Sequence, residues 1–344
     1  MRNEASIIAR LGRIIPSRIG VRASRDVPLG IGDDAALVEL SRGCELVLST
    51  DAFVEGAHFL AHLHPADAVG YKALSRAVSD LAAMGAAPRY FLLTLALPAG
   101  KVGAWLDLFA RGMARAARRF GMRLIGGDVS RHDRVVAALT VMGEVRRGHA
   151  LTRSGAHPGE ALYVTGRLGA AQAGLELLLR EGPRGIARRA DSYSLKRHLY
   201  PDPRLGVGAW LGAKKLTSAA MDISDGLSTD LARLCAASGV GAVVNASLLP
   251  VFREERPGVR RASAGRDGAA ALRRALHGGE DYELLFSVPR RLVTRIPGRL
   301  GSIPLTRIGE ITRGRHVVLV DSMGRARPLL PGGWEHFGRA RSIR

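Results

Sequence analysis

The chain of 344 residues is long enough for two domains of roughly 150 residues each. Few aromatics and 42 glycines suit alternating helices and strands better than a helical bundle. Fifty-one basic against 31 acidic residues give a formal charge of +20, which attracts nucleic acid, acidic surfaces or small phosphorylated ligands alike. The excess is nearly all arginine, in runs at 115–123, 184–197, 253–274 and 339–344 that carry no interleaved aromatic platforms, so solvated faces are the better reading and a dedicated nucleic-acid role is disfavoured. Cys44 and Cys235 lack metal-type spacing or a second pair, which argues against a disulfide framework or a zinc site and for a reducing, cytoplasmic setting. The longest apolar stretch, Phe91 to Leu97, falls far short of the roughly 20 residues of a membrane span, so no membrane segment is expected.

In chain order, Ile7, Ile8, Leu11, Ile14 and Ile15 predict a docked helix within Met1 to Arg18. Ala35 to Leu40 and Glu45 to Ser49 read as strands, the second running directly into Thr50-Asp51. Pro65 to Ala86 is a helix with apolar Val69, Ala73, Leu74, Ala77, Leu81 and Met84. Tyr90 to Leu97 is a strand, Lys101 to Phe120 a helix, Met122 to Ile125 a short strand and Val135 to Val145 a longer one. A turn-rich connector from Gly148 to Gly159 marks the boundary, giving domains 1–147 and 148–344. Beyond it come a strand Ala161 to Thr165, a helix Ala170 to Arg180, a Pro/Gly/Arg linker, a strand Ala219 to Ile223 and a helix Leu227 to Ala237. An exposed loop at Phe252 to Gly268 and strands Tyr282 to Val288, Thr306 to Ile311 and His316 to Val320 complete the pattern, a mixed α/β (α+β) fold.

Five segments share one design, a carboxylate beside glycine or at a strand end: Gly30-Ile31-Gly32-Asp33-Asp34, Ser49-Thr50-Asp51, Gly126-Gly127-Asp128, Asp222-Ile223-Ser224-Asp225-Gly226 and Gly278-Gly279-Glu280-Asp281. Glycine lets backbone N–H groups approach phosphate, and aspartate offers hard oxygen to Mg²⁺, which commonly bridges carboxylates to substrate phosphates. Taken singly, each acid has a plainer account: Asp33 in a turn, Asp225 as a helix cap, Asp80 as an exposed helical acid. Asp222 is harder to dismiss, because it closes the apolar run Ala219-Ala220-Met221 and is costly to bury without a cation or hydrogen bonds. No G-x-x-x-x-G-K-[ST], protein-kinase catalytic loop, G-x-S-x-G elbow or H-E-x-x-H pair occurs, which leaves metal-assisted phosphoryl transfer.

These residues resemble the thiamine-monophosphate kinase family, of the superfamily that includes aminoimidazole ribonucleotide synthetase and selenophosphate synthetase. The likeness runs from Leu29-Gly30-Ile31-Gly32-Asp33-Asp34-Ala35 through Ser49-Thr50-Asp51, Gly56-Ala57-His58-Phe59, Ser79-Asp80-Leu81-Ala82-Ala83-Met84-Gly85-Ala86 and Leu124-Ile125-Gly126-Gly127-Asp128. It continues through Leu151-Thr152-Arg153-Ser154-Gly155, Asp222-Ile223-Ser224-Asp225-Gly226-Leu227 and Gly278-Gly279-Glu280-Asp281-Tyr282-Glu283-Leu284 to Trp334-Glu335-His336-Phe337. The resemblance implies transfer of the ATP γ-phosphoryl group to thiamine monophosphate with several Mg²⁺ ions, in a homodimer paired through N-terminal mixed sheets, with a C-terminal α/β, sandwich-like domain completing the nucleotide and substrate site. It further implies Asp34, Ser49, Thr50, Asp51, Asp80, Asp128, Asp222 and Asp225 as metal ligands, and Gly127, Asp128, Arg153 and Ser224 as nucleotide contacts. His58, Glu280 and Trp334 become substrate contacts, while Asp33 and Asp281 fall back to supporting positions. A phosphate acceptor is already ionised at neutral pH, so no general base is required.

Two rivals remain. Another superfamily enzyme, phosphorylating an amide, selenide or carboxamide oxygen, is disfavoured because neither terminus carries a reactive cysteine. A non-catalytic nucleotide- or RNA-binding protein would explain the charge but not the intact acidic set.

Overall fold

The structure, a computed structural model, describes residues 4–17, 24, 26–189, 191–254 and 264–337. These divide into one unit within Met1–Leu81 and Ala86–Gly148 and another within Ala82–Gly85 and His149–Gly338. Both mix helices with sheets, the fold class the sequence predicts.

In the first unit the elements are α1 (Glu4–Ile14), β1 (Cys44–Val54), α2 (Ala66–Ala83), β2 (Ala87–Leu97), α3 (Ala104–Phe120), β3 (Arg123–Arg131) and β4 (Val136–Arg146). The strands form a sheet in the order β1-β4-β2-β3, antiparallel except for the β2–β3 pair. One face is apolar: Phe53, Ala137, Leu139, Val141, Phe91, Leu93 and Leu95 are all buried. Helix α2 turns Val69, Ala73, Leu74, Ala77, Val78 and Leu81 into the core, the 3.6-residue spacing that marked it in the sequence. It meets α3 at a backbone contact only glycine permits. A Cβ on Gly70 would lie 1.9 Å from the Phe109 carbonyl oxygen, and one on Gly112 1.8 Å from that of Asp67.

The segment Ala35 to Leu40 is not the strand that its alternation suggests. Apart from an isolated bridge between Leu29 and Leu37, it forms no ladder. Its Ala36 and Val38 pack with Val27, Tyr90, Ile125 and Met142, so its apolar side chains satisfy packing rather than strand pairing. The predicted short strand at Met122 is longer than expected and carries Gly126-Gly127-Asp128 inside β3 rather than beyond its end.

The second unit contains β5 (Ala161–Thr165), α4 (Ala170–Arg188), α5 (Tyr193–Leu199), α6 (Leu205–Lys214), β6 (Ala219–Ile223), α7 (Leu227–Ser238), β7 (Gly241–Asn245) and α8 (Ala264–His277). There follow β8 (Glu283–Val288), β9 (Arg299–Leu300), β10 (Ile303–Thr312), β11 (Val317–Val320) and β12 (Ala326–Pro328). The sheet order is β12-β11-β7-β10-β5-β8-β6, with β9 on β10. Alternate residues of each central strand enter two separate cores: Leu162, Val164, Met221, Ile223 and Leu285 on one face, Tyr163, Ala220, Leu284 and Phe286 on the other. A sheet covered on both faces explains why these strands read as unbroken apolar runs.

Three expectations change here. The linker after Arg180 is helical, because α4 continues to Arg188 across a kink at Gly182-Pro183. Helices α5 and α6, short and only weakly periodic, were not anticipated. Of the exposed loop expected at Phe252 to Gly268, residues 255–263 lie outside the described residues, Phe252 is buried, and α8 has begun by Ala264. The basic run 339–344 also lies outside them.

Candidate active site

In the first unit a polar seam forms between β1 and α2. The Ser49 hydroxyl donates to the Asp80 carboxylate. Asp51 is paired with Arg76, whose Nη2 donates to Oδ1 at 3.2 Å and whose Nε lies 3.2 Å from Oδ2. The Arg76 guanidinium rests 5.1 Å above the Phe53 ring, and the His58 ring lies 5.9 Å beyond Phe53. His58 Nδ1 accepts from the Val54 N–H at 3.0 Å, which fixes the ring over the turn after β1. Arg76 carries no motif of its own, so sequence reasoning missed it; its four-residue spacing before Asp80 was the available signal.

The sheet separates Thr50 and Asp128 from this seam. Asp51, Leu139, Leu93 and Gly127 form one row across β1, β4, β2 and β3, and Ala52, Ala138, Thr94 and Asp128 form the next. Successive rows face opposite sides. Ser49 and Asp51 therefore share the helix-covered face, whereas Thr50 and Asp128 lie on the other, where the Thr140 hydroxyl donates to Thr50 Oγ1 at 3.3 Å. Three interstrand steps also put Asp128 roughly 14 Å from the β1 row. Asp34 is exposed, and its N–H donates to Asp33 Oδ1 at 2.8 Å, the turn role foreseen for Asp33. Gly127 is required sterically, since a Cβ would lie 1.9 Å from the Leu93 carbonyl oxygen.

In the second unit three loops converge where β6 ends. Because β6 and β8 are antiparallel, with Ile223 opposite Glu283, the segment entering β8 meets the one leaving β6. The Glu280 N–H donates to the Ser224 carbonyl at 2.7 Å, the Tyr282 N–H to the Ile223 carbonyl at 2.9 Å, and the Trp334 N–H to the Asp225 carbonyl at 3.0 Å. Asp222, Ser224, Asp225, Glu280 and Trp334, scattered over more than a hundred residues, are thus neighbours. Arg153 is not among them. Its carbonyl accepts from Ser238 Oγ at 3.1 Å at the C-terminal end of α7, roughly 17 Å of helix from the Asp225 turn.

Asp222 is buried, 2% exposed, as its place after an apolar run foretold. Asp225 is not a helix cap: Gly226 occupies that position, and the Asp225 carboxylate is bound by Arg233. Beneath it Asp230, fully buried, accepts the Asp225 N–H at 3.0 Å and meets Arg233 at 3.0 Å. Burial, reinforced by the negative Asp225 nearby, pushes the Asp230 carboxyl up to about 7. Neither Asp230 nor Arg233 was recognised from sequence, although their offsets of five and eight from Asp225 fall on adjacent turns of one helix.

Glu280 and Tyr282 hold left-handed backbone, φ 68° and 50°, which costs of order 1–3 kcal/mol each outside glycine. The turn is held from below. Asp281 accepts the N–H groups of Gly169 at 2.6 Å and Ala171 at 3.1 Å, and Arg197 Nη2 donates to the Asp281 carbonyl at 2.6 Å. Glu283, fully buried, accepts from Arg204 Nε at 2.6 Å, Arg204 Nη2 at 2.5 Å, Arg197 Nη2 at 3.1 Å and Thr165 Oγ1 at 2.5 Å. His198 Nδ1 approaches the Glu280 carboxylate at 3.4 Å. Asp281 has the supporting position expected of it, whereas the buried arginines were hidden among the many surface ones.

The family model described as AIR synthase related protein, N-terminal domain, matches residues 32–145, and its C-terminal counterpart matches 157–322. The thiamine-monophosphate kinase of Escherichia coli K12 is 41% identical across 97% of this chain and 98% of its own. The crystal structure of thiamine-monophosphate kinase from Stenotrophomonas maltophilia K279a, 37% identical, superposes with a TM-score of 0.75 over 92% of this chain and 94% of that one. AaThiL complexed with AMPPCP and TMP, 32% identical, gives 0.72 over 98% and 99%. No helix among the described residues is long and apolar enough to cross a membrane. With such identity along nearly the whole of both chains, the protein belongs to the thiamine-monophosphate kinase family.

Proposed function

We propose that this chain transfers the γ-phosphoryl group of ATP to the phosphate of thiamine monophosphate, giving thiamine diphosphate and ADP. One observation carries the reading: three interloop backbone hydrogen bonds gather Asp225, Glu280 and Trp334 at the end of β6, in a chain akin throughout to enzymes of that activity. An oxygen of the thiamine phosphate attacks Pγ, the new O–Pγ bond forms, and the bond from Pγ to the β,γ-bridging oxygen breaks with its electron pair leaving on ADP. The attacking oxygen is already ionised, so the protein's work is positioning and charge compensation.

The proposed donors fit magnesium. Asp34, Ser49, Thr50, Asp51, Asp80, Asp128, Asp222 and Asp225 offer only hydroxyl and carboxylate oxygen, and because Thr50 and Asp128 lie on the opposite face of the first unit's sheet from Ser49, Asp51 and Asp80, the set would serve more than one ion. Among the described residues no three His, Cys, Asp or Glu side chains form a group able to hold an ion unaided. That suits an ion which keeps waters and is completed by substrate phosphates. Bound Mg²⁺ would supply neutralisation of the phosphate charge. Within the chain, Ser49 orients Asp80 and Arg76 orients Asp51, so these oxygens are held before any ligand arrives. Gly127, Asp128, Arg153 and Ser224 are proposed nucleotide contacts. His58, Glu280 and Trp334 are proposed to meet the acceptor, Trp334 through its flat face and Glu280 through attraction to a cationic ring.

Residues 1–147 and 148–344 are proposed as the two functional domains. A homodimer is supported by Leu46 and Leu48, 37% and 58% exposed, which lie with Thr50 on the second face of the first unit's sheet. Free Cys44 and Cys235 support a cytoplasmic setting. The test is incubation of the protein with ATP, Mg²⁺ and thiamine monophosphate, separating products and including alternative acceptors. Equimolar thiamine diphosphate and ADP are expected; ATP turnover with a different acceptor only, or no thiamine diphosphate, overturns the reading.

A further inference from the structure

Trp334 lies beyond the last strand, in a stretch whose next residues, Glu335 to Phe337, are exposed. A short ladder ties this stretch to the first turn of α7. The Gly332 N–H donates to Ser228 Oγ at 3.2 Å, the Gly333 N–H to Thr229 Oγ1 at 3.1 Å and the Trp334 N–H to the Asp225 carbonyl at 3.0 Å. Ser228, fully buried, also shares a hydrogen bond of 2.8 Å with His277 Nδ1, one residue before the Gly278 to Tyr282 turn. The approach leaves no room for side chains. A Cβ on Gly333 would lie 1.8 Å from the Asp225 carbonyl oxygen, and one on Gly332 2.8 Å from the His277 ring.

We propose that Ser228 and Thr229 are positioning residues: their hydroxyls fasten the 332–334 segment to α7, so that Trp334 and the Asp225 turn are held as one piece. The consequence rests on the kinase reading above. Acceptor binding then draws on the population in which the segment is fastened, and losing one rung lowers the apparent affinity for the acceptor without altering how ATP is held.

Thr229→Val keeps the shape and removes the acceptor oxygen; Thr229→Ser restores it. The KM for thiamine monophosphate is expected to rise about fivefold in Thr229→Val, to return in Thr229→Ser, and the KM for ATP to stay within about twofold. In a Trp105→Phe, Trp210→Phe background Trp334 is the sole indole, and its emission should shift to longer wavelength in Thr229→Val and not in Thr229→Ser. Ser228→Ala, which also removes the bond to His277, is the second variant should Thr229→Val lower the thermal midpoint by more than a few degrees. Unchanged emission, an emission shift without a KM change, or equal rises in both KM values would overturn the positioning role. The emission arm needs no turnover, so a chain that makes no thiamine diphosphate would refute the kinase reading while the fastening itself is still decided.

Discussion

Replacing Glu283 with Gln should destabilise the second unit by about 3–5 kcal/mol, the usual cost of breaking a buried ion pair from one side. The magnitude follows from the bonds. Glu283 is fully buried and accepts four hydrogen bonds, three of them from guanidinium groups only 7% exposed. Glutamine offers one acceptor oxygen and turns an N–H₂ toward the remaining donors, so Arg204 and Arg197 lose their shared buried counter-charge and Arg204 keeps only the 3.6 Å pair with Asp202. Against a total stability of order 5–15 kcal/mol this is a large fraction. The assay is urea unfolding in a Trp105→Phe background, where only Trp210 and Trp334 of the second unit report. With a slope of about 2 kcal/mol per molar, the midpoint should fall by about 2 M. The pH dependence gives a second reading. Burial works to raise the Glu283 pKa, but Arg204, with Arg197 and Thr165, overcomes it and holds the value below the ordinary 4.5. The unfolded chain therefore takes up protons first, so the contribution is complete above about 4.5 and is lost as pH falls through the lower folded value. The wild type should lose stability across that acid window more steeply than Glu283→Gln. A midpoint change worth less than about 1 kcal/mol, or parallel acid profiles, would refute the account.

Other outcomes follow from the same geometry. Asp80→Ala and Asp225→Ala should each lower Mg²⁺-dependent turnover by on the order of 10²-fold or more, with circular dichroism unchanged; near-normal rates in either would remove that residue from the proposed ligand set. Gly127→Ala should cost about 2–4 kcal/mol, because the new Cβ forces β3 away from β2, and denaturant midpoints will show it. If the exposed leucines form a dimer interface, light scattering should find a dimer for the wild type and a monomer for Leu48→Asp; a dimer in both would place the interface elsewhere.

Strong period and punctuation made most of the fold legible. The helices around Leu74 and Leu231 and the strands at Ala161 and Ala219 fall within a few residues of their predicted ends, since each has a clear apolar repeat and a glycine or proline boundary. Ala35 to Leu40 misled because alternation records which side chains are covered, and here a loop covers them. Of the candidate site, the acidic motifs identified the family, and five of the six expected members in the second unit meet, Arg153 being the exception. What could not be read was compensation. Arg76, Arg197, Arg204 and Arg233 neutralise particular carboxylates, yet in a chain with so many arginines nothing local distinguishes a paired one from a solvated one. Nor does a motif reveal faces: Ser49, Thr50 and Asp51 look like one ligand set until pairing with β4 assigns them alternately.

That alternation bears on how the gene can vary. Sliding β1 by a single residue along β4 would exchange Ser49 and Asp51 for Thr50 and Ala52 beneath α2, and would turn Phe53 outward. Every chemical group would survive in the sequence while the Ser49–Asp80 and Asp51–Arg76 pairs vanished together. Length between Cys44 and Val54 is therefore under tighter constraint than identity at most of its positions. One-codon deletions in this interval should be lost from a functional selection more completely than substitutions at Leu46, Leu48 or Ala52, whatever their chemistry.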